Sequence, residues 1–202
     1  AWSNKGNVLN ELKRYEEAIA HYDKAIDLKP GYYDAPWNKS LSLLLQGDFK
    51  NGLPLYECRW NSEKASEAAG KRSFHQPTWL GDQSLQDKTI LLYGEQGLGD
   101  FIQFCRYVKL VADLGARVIL ETPESLASLM QKLEGVSQLI IKGAEKLPDF
   151  DYQCPLLSLP LAFNTEISSI PAKIPYLTAH PDKVVKWSLR LGEKRKKRIG
   201  LA

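Results

Sequence analysis

Thr89-Ile90-Leu91-Leu92-Tyr93-Gly94-Glu95-Gln96-Gly97-Leu98-Gly99-Asp100-Phe101-Ile102 reads as a short buried strand, a glycine-rich turn and the opening of an amphipathic helix. The glycines let the backbone turn sharply and approach a ligand closely, where a Cβ would intrude. The first N–H groups of the helix lack intrahelical partners and suit a phosphate, a carboxylate or the oxyanion of a sugar hydroxyl. Open α/β sheets place their binding crevice at such a turn, at the carboxyl end of a strand. Gly94, Glu95, Gln96, Gly97, Leu98 and Gly99 are therefore the candidate substrate-binding residues, with Glu95 and Gln96 on the exposed turn. Asp100 has two readings. An acid in the first turn can cap the helix and favours its dipole by about 0.3–1 kcal/mol. A carboxylate held at the mouth of the crevice can also act as general base toward a hydroxyl.

Strand and helix patterns alternate downstream of this turn. A helix is expected over Asp100–Leu114, with Phe101, Phe104, Cys105 and Val108 on one face and Gly115 closing it. A strand over Arg117–Glu121, a helix over Pro123–Leu133 and a strand over Ser137–Ile141 follow. Phe150–Gln153 is a candidate fourth strand, leading into a Pro-punctuated loop to Pro160. Val184–Leu191 reads as a helix and Arg198–Ala202 as the start of another strand. Connections this short imply right-handed βαβ units and a parallel sheet. Cys154-Pro155-Leu156-Leu157-Ser158-Leu159-Pro160 would open onto the crevice, which makes Ser158 a further candidate contact, or would pack as an apolar loop under the sheet.

The spacing Gly94-x-x-Gly97-x-Gly99 departs from the dinucleotide fingerprint G-x-G-x-x-G, although Glu121 ends the second strand where a ribose-binding acid would sit. Cys58, Cys105 and Cys154 are scattered and odd in number, and His21, His75 and His180 lack ligand spacing. They argue for free thiols in a reducing, cytoplasmic compartment and against a metal site. No stretch reaches the ~18 apolar residues of a membrane span. The net charge of +3 is uneven: Lys186, Arg190 and the run Lys194 to Arg198 place seven positive charges against Glu193 alone. The remainder is slightly acidic, which argues against a nucleic-acid surface. That tail reads as a solvated connection or as an anion-binding patch.

The first sixty residues are helical with an internal period. Asn4-Lys5 recurs as Asn38-Lys39, Tyr15 as Phe49 and Tyr22 as Tyr56, each 34 residues apart. Trp2, Gly6, Leu9, Ala18, Tyr22, Ala25 and Pro30 occupy the places of the tetratricopeptide pattern, with Lys5 in place of the usual Leu. The second repeat reads as decayed, since Gly52 replaces a small Ala, and Arg59 and Lys64 replace Ala and Pro. This suggests the end of a longer array, with protein or peptide partners bound by the repeats. The organisation is thus tetratricopeptide helices over 1–70, a connecting segment over 71–87 and a Rossmann-like α/β unit over 88–202. The second repeat is expected to pack rigidly on the α/β unit, with Tyr56 and Trp60 meeting the aromatics around Phe74 and Trp79. The rival is a flexible linker through Ser62–Lys71.

The segment from Trp79 to Ala202 resembles glycosyltransferase family 9, the heptosyltransferase-like group, in a bacterial form fused behind tetratricopeptide repeats. The matching elements are Gln76-Pro77-x-Trp79-x-Gly81, Ile90-Leu91-Leu92, Gly94-Glu95-Gln96-Gly97-Leu98-Gly99-Asp100, Gln103-Phe104-x-Arg106-Tyr107, Gly115-Ala116-x-Val118-Ile119-Leu120-Glu121 and the Cys154–Pro160 run. The resemblance implies a GT-B arrangement of two facing Rossmann-like halves, of which this is the N-terminal, acceptor-side half. It implies that Asp100 is the catalytic base, and that Ile199-Gly200-Leu201-Ala202 begins the half that binds a nucleotide-sugar donor. It implies no other cofactor and no metal. The piece alone is then expected to be inactive. Glu95-Gln96, where heptosyltransferases carry small residues, puts the acceptor in question. The alternative is a tetratricopeptide scaffold whose α/β domain is inactive, or a nucleotide-binding domain in which Gly94–Gly99 cradle a phosphate.

Overall fold

A computed structural model describes residues 1–62, 66, 70–144 and 146–193. Four helices come first: α1 (Trp2–Glu11), α2 (Tyr15–Leu28), α3 (Asp34–Leu45) and α4 (Phe49–Tyr56), followed by a 3₁₀ turn over Glu57–Trp60. They form two antiparallel pairs, as the 34-residue period demands. Small residues set the crossings. A Cβ on Gly6 would lie 2.5 Å from the Tyr22 ring, and one on Gly52 would lie 2.9 Å from Leu44. Gly52 thus does in the second pair what Ala18, fully buried, does in the first. The Tyr22 hydroxyl donates to Asn7 Oδ1 at 2.9 Å, and the Ser42 hydroxyl joins the pairs through Asn10 Oδ1 at 2.7 Å.

The α/β unit is a four-stranded parallel sheet of β1 (Thr89–Tyr93), β2 (Arg117–Thr122), β3 (Val136–Ile141) and β4 (Tyr152–Pro155), in the order β3-β2-β1-β4. Register pairs Thr89 with Arg117 and Ile90 with Tyr152. The helices between strands are α5 (Leu98–Phe104), a 3₁₀ turn over Cys105–Tyr107, α6 (Val108–Asp113) and α7 (Glu124–Met130). A 3₁₀ turn over Leu156–Ser158 and the short α8 (Leu159–Ala162) follow β4. Right-handed crossovers from β1 to β2 and from β2 to β3 advance in one direction, which places their helices on one face. That face carries the main core, where Ile90, Leu92, Val118 and Leu120 meet Phe101, Val108, Val111, Leu126 and Met130. The return from β3 to β4 crosses the opposite face. There Leu91, Tyr93 and Ile119 are covered by Phe74, Leu147 and Phe150 instead of a helix.

Several sequence-based boundaries shift. The helix expected over Asp100–Leu114 starts at Leu98 and breaks into a 3₁₀ turn at Cys105, whose Sγ donates to Ile102 O. The helix expected over Pro123–Leu133 spans Glu124–Met130. The fourth strand begins at Tyr152 rather than Phe150, and the loop expected up to Pro160 is largely helical turns. The strand expected over Arg198–Ala202 and the basic run Lys194 to Arg198 lie outside the described residues. The segment read as a connection enters the sheet edge: Thr78 bridges Gln153 in parallel, and Trp79 N–H donates to Gln153 O at 2.9 Å. Trp79 is buried against Phe163.

Gly81 makes the turn after Trp79 possible. Its φ is +97°, and a Cβ there would lie 2.1 Å from the carbonyl oxygen of Ala162. Both the backbone conformation and the close approach require glycine. Gly81→Ala is expected to cost about 2–3 kcal/mol. In a thermal melt this lowers the midpoint by roughly 4–12 °C for a chain of this size, and an unchanged midpoint would show that the turn relaxes freely. The last described helix, α9 (Pro181–Leu191), buries none of its residues and leaves Val184, Val185, Trp187, Leu189 and Leu191 exposed.

Candidate functional site

The chain leaves β1 at Tyr93 and re-enters helix at Leu98, so the glycine turn lies where the sheet order reverses between β1 and β4. Open α/β sheets bind ligands at this switch point. Gly94 is required by packing: a Cβ would sit 2.5 Å from the Phe101 ring. Gly99, by contrast, faces open space. Gln96, Gly97, Leu98 and Gly99 are exposed. Gly97 is the N-cap of α5, and the Asp100 carboxylate reaches back to accept the Gly97 N–H at 3.1 Å. Asp100 therefore caps its helix, and it stays half-exposed at the rim of the turn.

Glu95 departs from the expected exposure. Glu95 is not on an exposed turn: its side chain is fully buried. Ser158, read either as opening onto the crevice or as part of a loop packed under the sheet, is fully buried. Both are held by Arg59, at 1% exposure, from the 3₁₀ turn that ends the second repeat. Arg59 Nε donates to Glu95 Oε1 at 2.8 Å, and Nη2 lies 2.6 Å from the same oxygen. Nη2 also donates to Ser158 Oγ at 2.8 Å. Nη1 donates to Glu57 Oε1 at 2.7 Å and to Tyr56 O at 3.1 Å. Each of the three guanidinium nitrogens thus makes at least one hydrogen bond, and Nη2 is also ion-paired with Glu95, as burial of that charge requires. Ser158 in turn donates to Glu57 at 2.9 Å. The Tyr56 and Trp60 rings stack on the guanidinium at 4.4 and 4.5 Å. Outside this knot, Gln96 Nε2 donates to the Tyr56 hydroxyl at 2.8 Å.

Burial pushes the Glu95 carboxyl up to about 7, against the pull of Arg59, with Glu57 and Asp100 adding in the upward direction. Its Oε2 has no hydrogen-bond partner among the described residues. Arg59 remains a cation, raised by Glu95 and Glu57 against its own desolvation. Glu121, the alternative ribose-binding acid, is buried and ion-paired with Arg72, which also lies over the Phe74 and Tyr93 rings. It is turned away from that role.

The seam between repeats and α/β unit is thus ionic at its centre rather than an aromatic stack. Tyr56 reaches the main core, but Phe74 packs on Tyr93 and Phe150 at the opposite face, and Trp79 on Phe163. Beside the ionic centre lies an apolar cleft of about 240 Å³, lined by Leu44, Phe49 and Leu53 from the repeats and Phe104, Tyr107 and Ile170 from the other side. Arg59 and Glu57 were not candidates from sequence, and Tyr56 was expected only in an aromatic seam. The available signal was the arginine itself, a charged residue standing 34 positions after the buried Ala25.

Residues 1–32 match the tetratricopeptide repeat family. No curated protein matches the chain. Among solved structures, a point mutant of the O-GlcNAc transferase of Thermobaculum terrenum is similar at a TM-score of 0.28 and 10% identity, over 60% of this chain. The chain spans 30% of that enzyme's length. Among the described residues no group of three or more His, Cys, Asp or Glu could hold a metal ion, and no helix is long and apolar enough to cross a membrane.

Proposed function

We propose that this chain is the repeat-bearing, acceptor-side part of a glycosyltransferase, in which Asp100 takes the proton from an acceptor hydroxyl. The observation that supports this is the placement of Asp100. It stands half-exposed beside an open glycine turn, at the carboxyl end of the central strand and at the switch point of a parallel sheet. The exposed edge of Gln96, Gly97, Leu98 and Gly99 borders the acceptor, and the nucleotide sugar is held by a second, donor-binding half. On this reading that half also covers the exposed apolar residues of α9. The repeats recruit a protein or peptide and present it to the turn. The resemblance of the Trp79–Ala202 segment to glycosyltransferase family 9 supports the same assignment.

One observation favours a second reading. Arg59 fills the space between the loops after β1 and β4, where a ligand of an α/β sheet would reach deepest. A crevice closed in this way suits a scaffold whose α/β unit no longer turns over. One experiment separates the two. A protein extended past Ala202 by a donor half, given a panel of nucleotide sugars, is expected to release free nucleoside diphosphate as the sugar is transferred, while the 202-residue chain releases none. No release from any donor, by an extended protein that is folded, would favour the scaffold.

A further inference from the structure

We propose that Arg59 is a positioning residue of the crevice: the second repeat, through Arg59 and Tyr56, holds the Gly94–Asp100 turn in the shape that the α/β unit presents to its ligand. As to which ligand, this rests on the transferase reading; as to the turn, it stands on geometry alone. Three contacts carry it. Arg59 makes a two-nitrogen grip on Glu95 Oε1, one residue into the turn. The same guanidinium holds Ser158, at the end of the neighbouring strand's loop, at 2.8 Å. The Tyr56 hydroxyl takes Gln96 Nε2 at 2.8 Å. Two consecutive turn residues are thereby tied to one element of the repeat layer, and the next, Gly97, is tied to Asp100.

The ends of the turn are anchored by Gly94 and the buried Phe101, which pack on each other, but its middle has little else to fix it. Gly97, Leu98 and Gly99 are exposed, and a Cβ on Gly99 would meet nothing within 4 Å. The short helix that follows is capped from within the turn by Asp100. Positional order of Asp100 therefore comes from the buried Phe101 on one side and, on the other, from the clamp on Glu95 and Gln96, whose Arg59 bonds are charge-assisted and dry. A repeat partner that shifts the 3₁₀ turn Glu57–Trp60 would shift Asp100 with it.

Amide hydrogen exchange on the 202-residue chain tests this without donor or acceptor, so its outcome is independent of any transfer assay. Arg59→Lys keeps the charge but cannot reach Glu95, Ser158, Glu57 and Tyr56 O at once. It is expected to speed exchange about tenfold at Gly97 and Phe101, whose N–H groups are bonded to the Asp100 carboxylate and to Gly97 O, while amides of β1 and β2 such as Leu92 and Leu120 stay unchanged. Tyr56→Phe is expected to speed Gly97 about threefold and leave the fold intact. In Arg59→Lys the ¹³C titration of the Glu95 carboxyl should move upward from its wild-type value, since the guanidinium grip is lost. If turn amides speed up by no more than those of β1 and β2, or if Glu95 titrates as before, Arg59 only welds the seam and the proposal fails. Should Arg59→Lys not fold, Tyr56→Phe decides, and unchanged exchange at Gly97 overturns it.

Discussion

Replacing Arg59 with Met is expected to destabilise the chain by about 3–5 kcal/mol, because removing one partner of a buried ion pair leaves the other charge stranded. Met fills much of the same volume, so the loss is electrostatic. Glu95 loses its donor outright, and Glu57 and Ser158 each lose one partner of several. For a chain of this length the melting midpoint falls roughly 6–20 °C. Glu95→Gln, which keeps the shape and an acceptor for Arg59, costs much less. The pH dependence has a definite sign. The Glu95 carboxyl stands at about 7 in the native chain against an ordinary 4.5, so the native state holds that proton more tightly than the unfolded one. Its contribution to stability is full below pH 4.5 and is lost as pH rises through about 7. Melts of wild type and Glu95→Gln between pH 5 and 8 should therefore converge or cross, with wild type losing ground as pH rises. An Arg59→Met protein that melts within 2 °C or so of wild type would show that the knot contributes little to the fold.

Asp100→Asn is expected to cut sugar transfer by the donor-extended protein about 10²–10⁴-fold, the range general-base catalysis supplies. This substitution separates the two roles of the side chain. Asn retains an oxygen that can accept the Gly97 N–H, which Asp100 now accepts at 3.1 Å, so the cap persists and the melting midpoint should barely move. Asp100→Ala removes both roles and is expected to cost about 1 kcal/mol of stability in addition. Initial rates over a range of acceptor concentrations check the assignment, since loss of a base lowers kcat more than it raises KM. Wild-type transfer by Asp100→Asn would reduce Asp100 to a helix cap.

The sheet was legible because parallel strands announce themselves. Ile90, Leu91 and Leu92 are apolar in succession and fully buried, so β1 could be bounded to the residue. Val118 to Leu120 in β2 are buried in succession in the same way, and that strand runs one residue past the expected Glu121, to Thr122. The repeats were legible because their crossings demand small residues at fixed intervals, and Gly6 and Ala18 supply them. What stayed hidden was long-range. Glu95 looks exposed in a glycine-rich turn, and nothing within ten residues of it signals a guanidinium from 36 positions earlier. Ser158 is concealed for the same reason, 99 positions from its donor. A charged residue breaking a repeat pattern was taken as decay, because a pattern weighs each unit against its neighbours in sequence and carries no information about what the last unit touches. The break at Cys105 in the expected long helix is equally local and equally silent, since its residues have ordinary helix periodicity.

The knot at Arg59 also bears on how such a chain can change over evolutionary time. Its four polar members are spread over 101 positions, from Glu57 to Ser158, and each depends on the others. A duplication or deletion of whole 34-residue units upstream of α3 leaves every member in place and is free to lengthen or shorten the array. A recombination point between Trp60 and β1, joining a foreign last repeat to this sheet, would bring an Ala to the place of Arg59 and orphan Glu95 and Ser158 in one step. The last repeat is therefore expected to be inherited with the sheet, and the point of exchange that spares the knot lies before residue 34, a whole repeat earlier than the boundary that sequence periodicity marks.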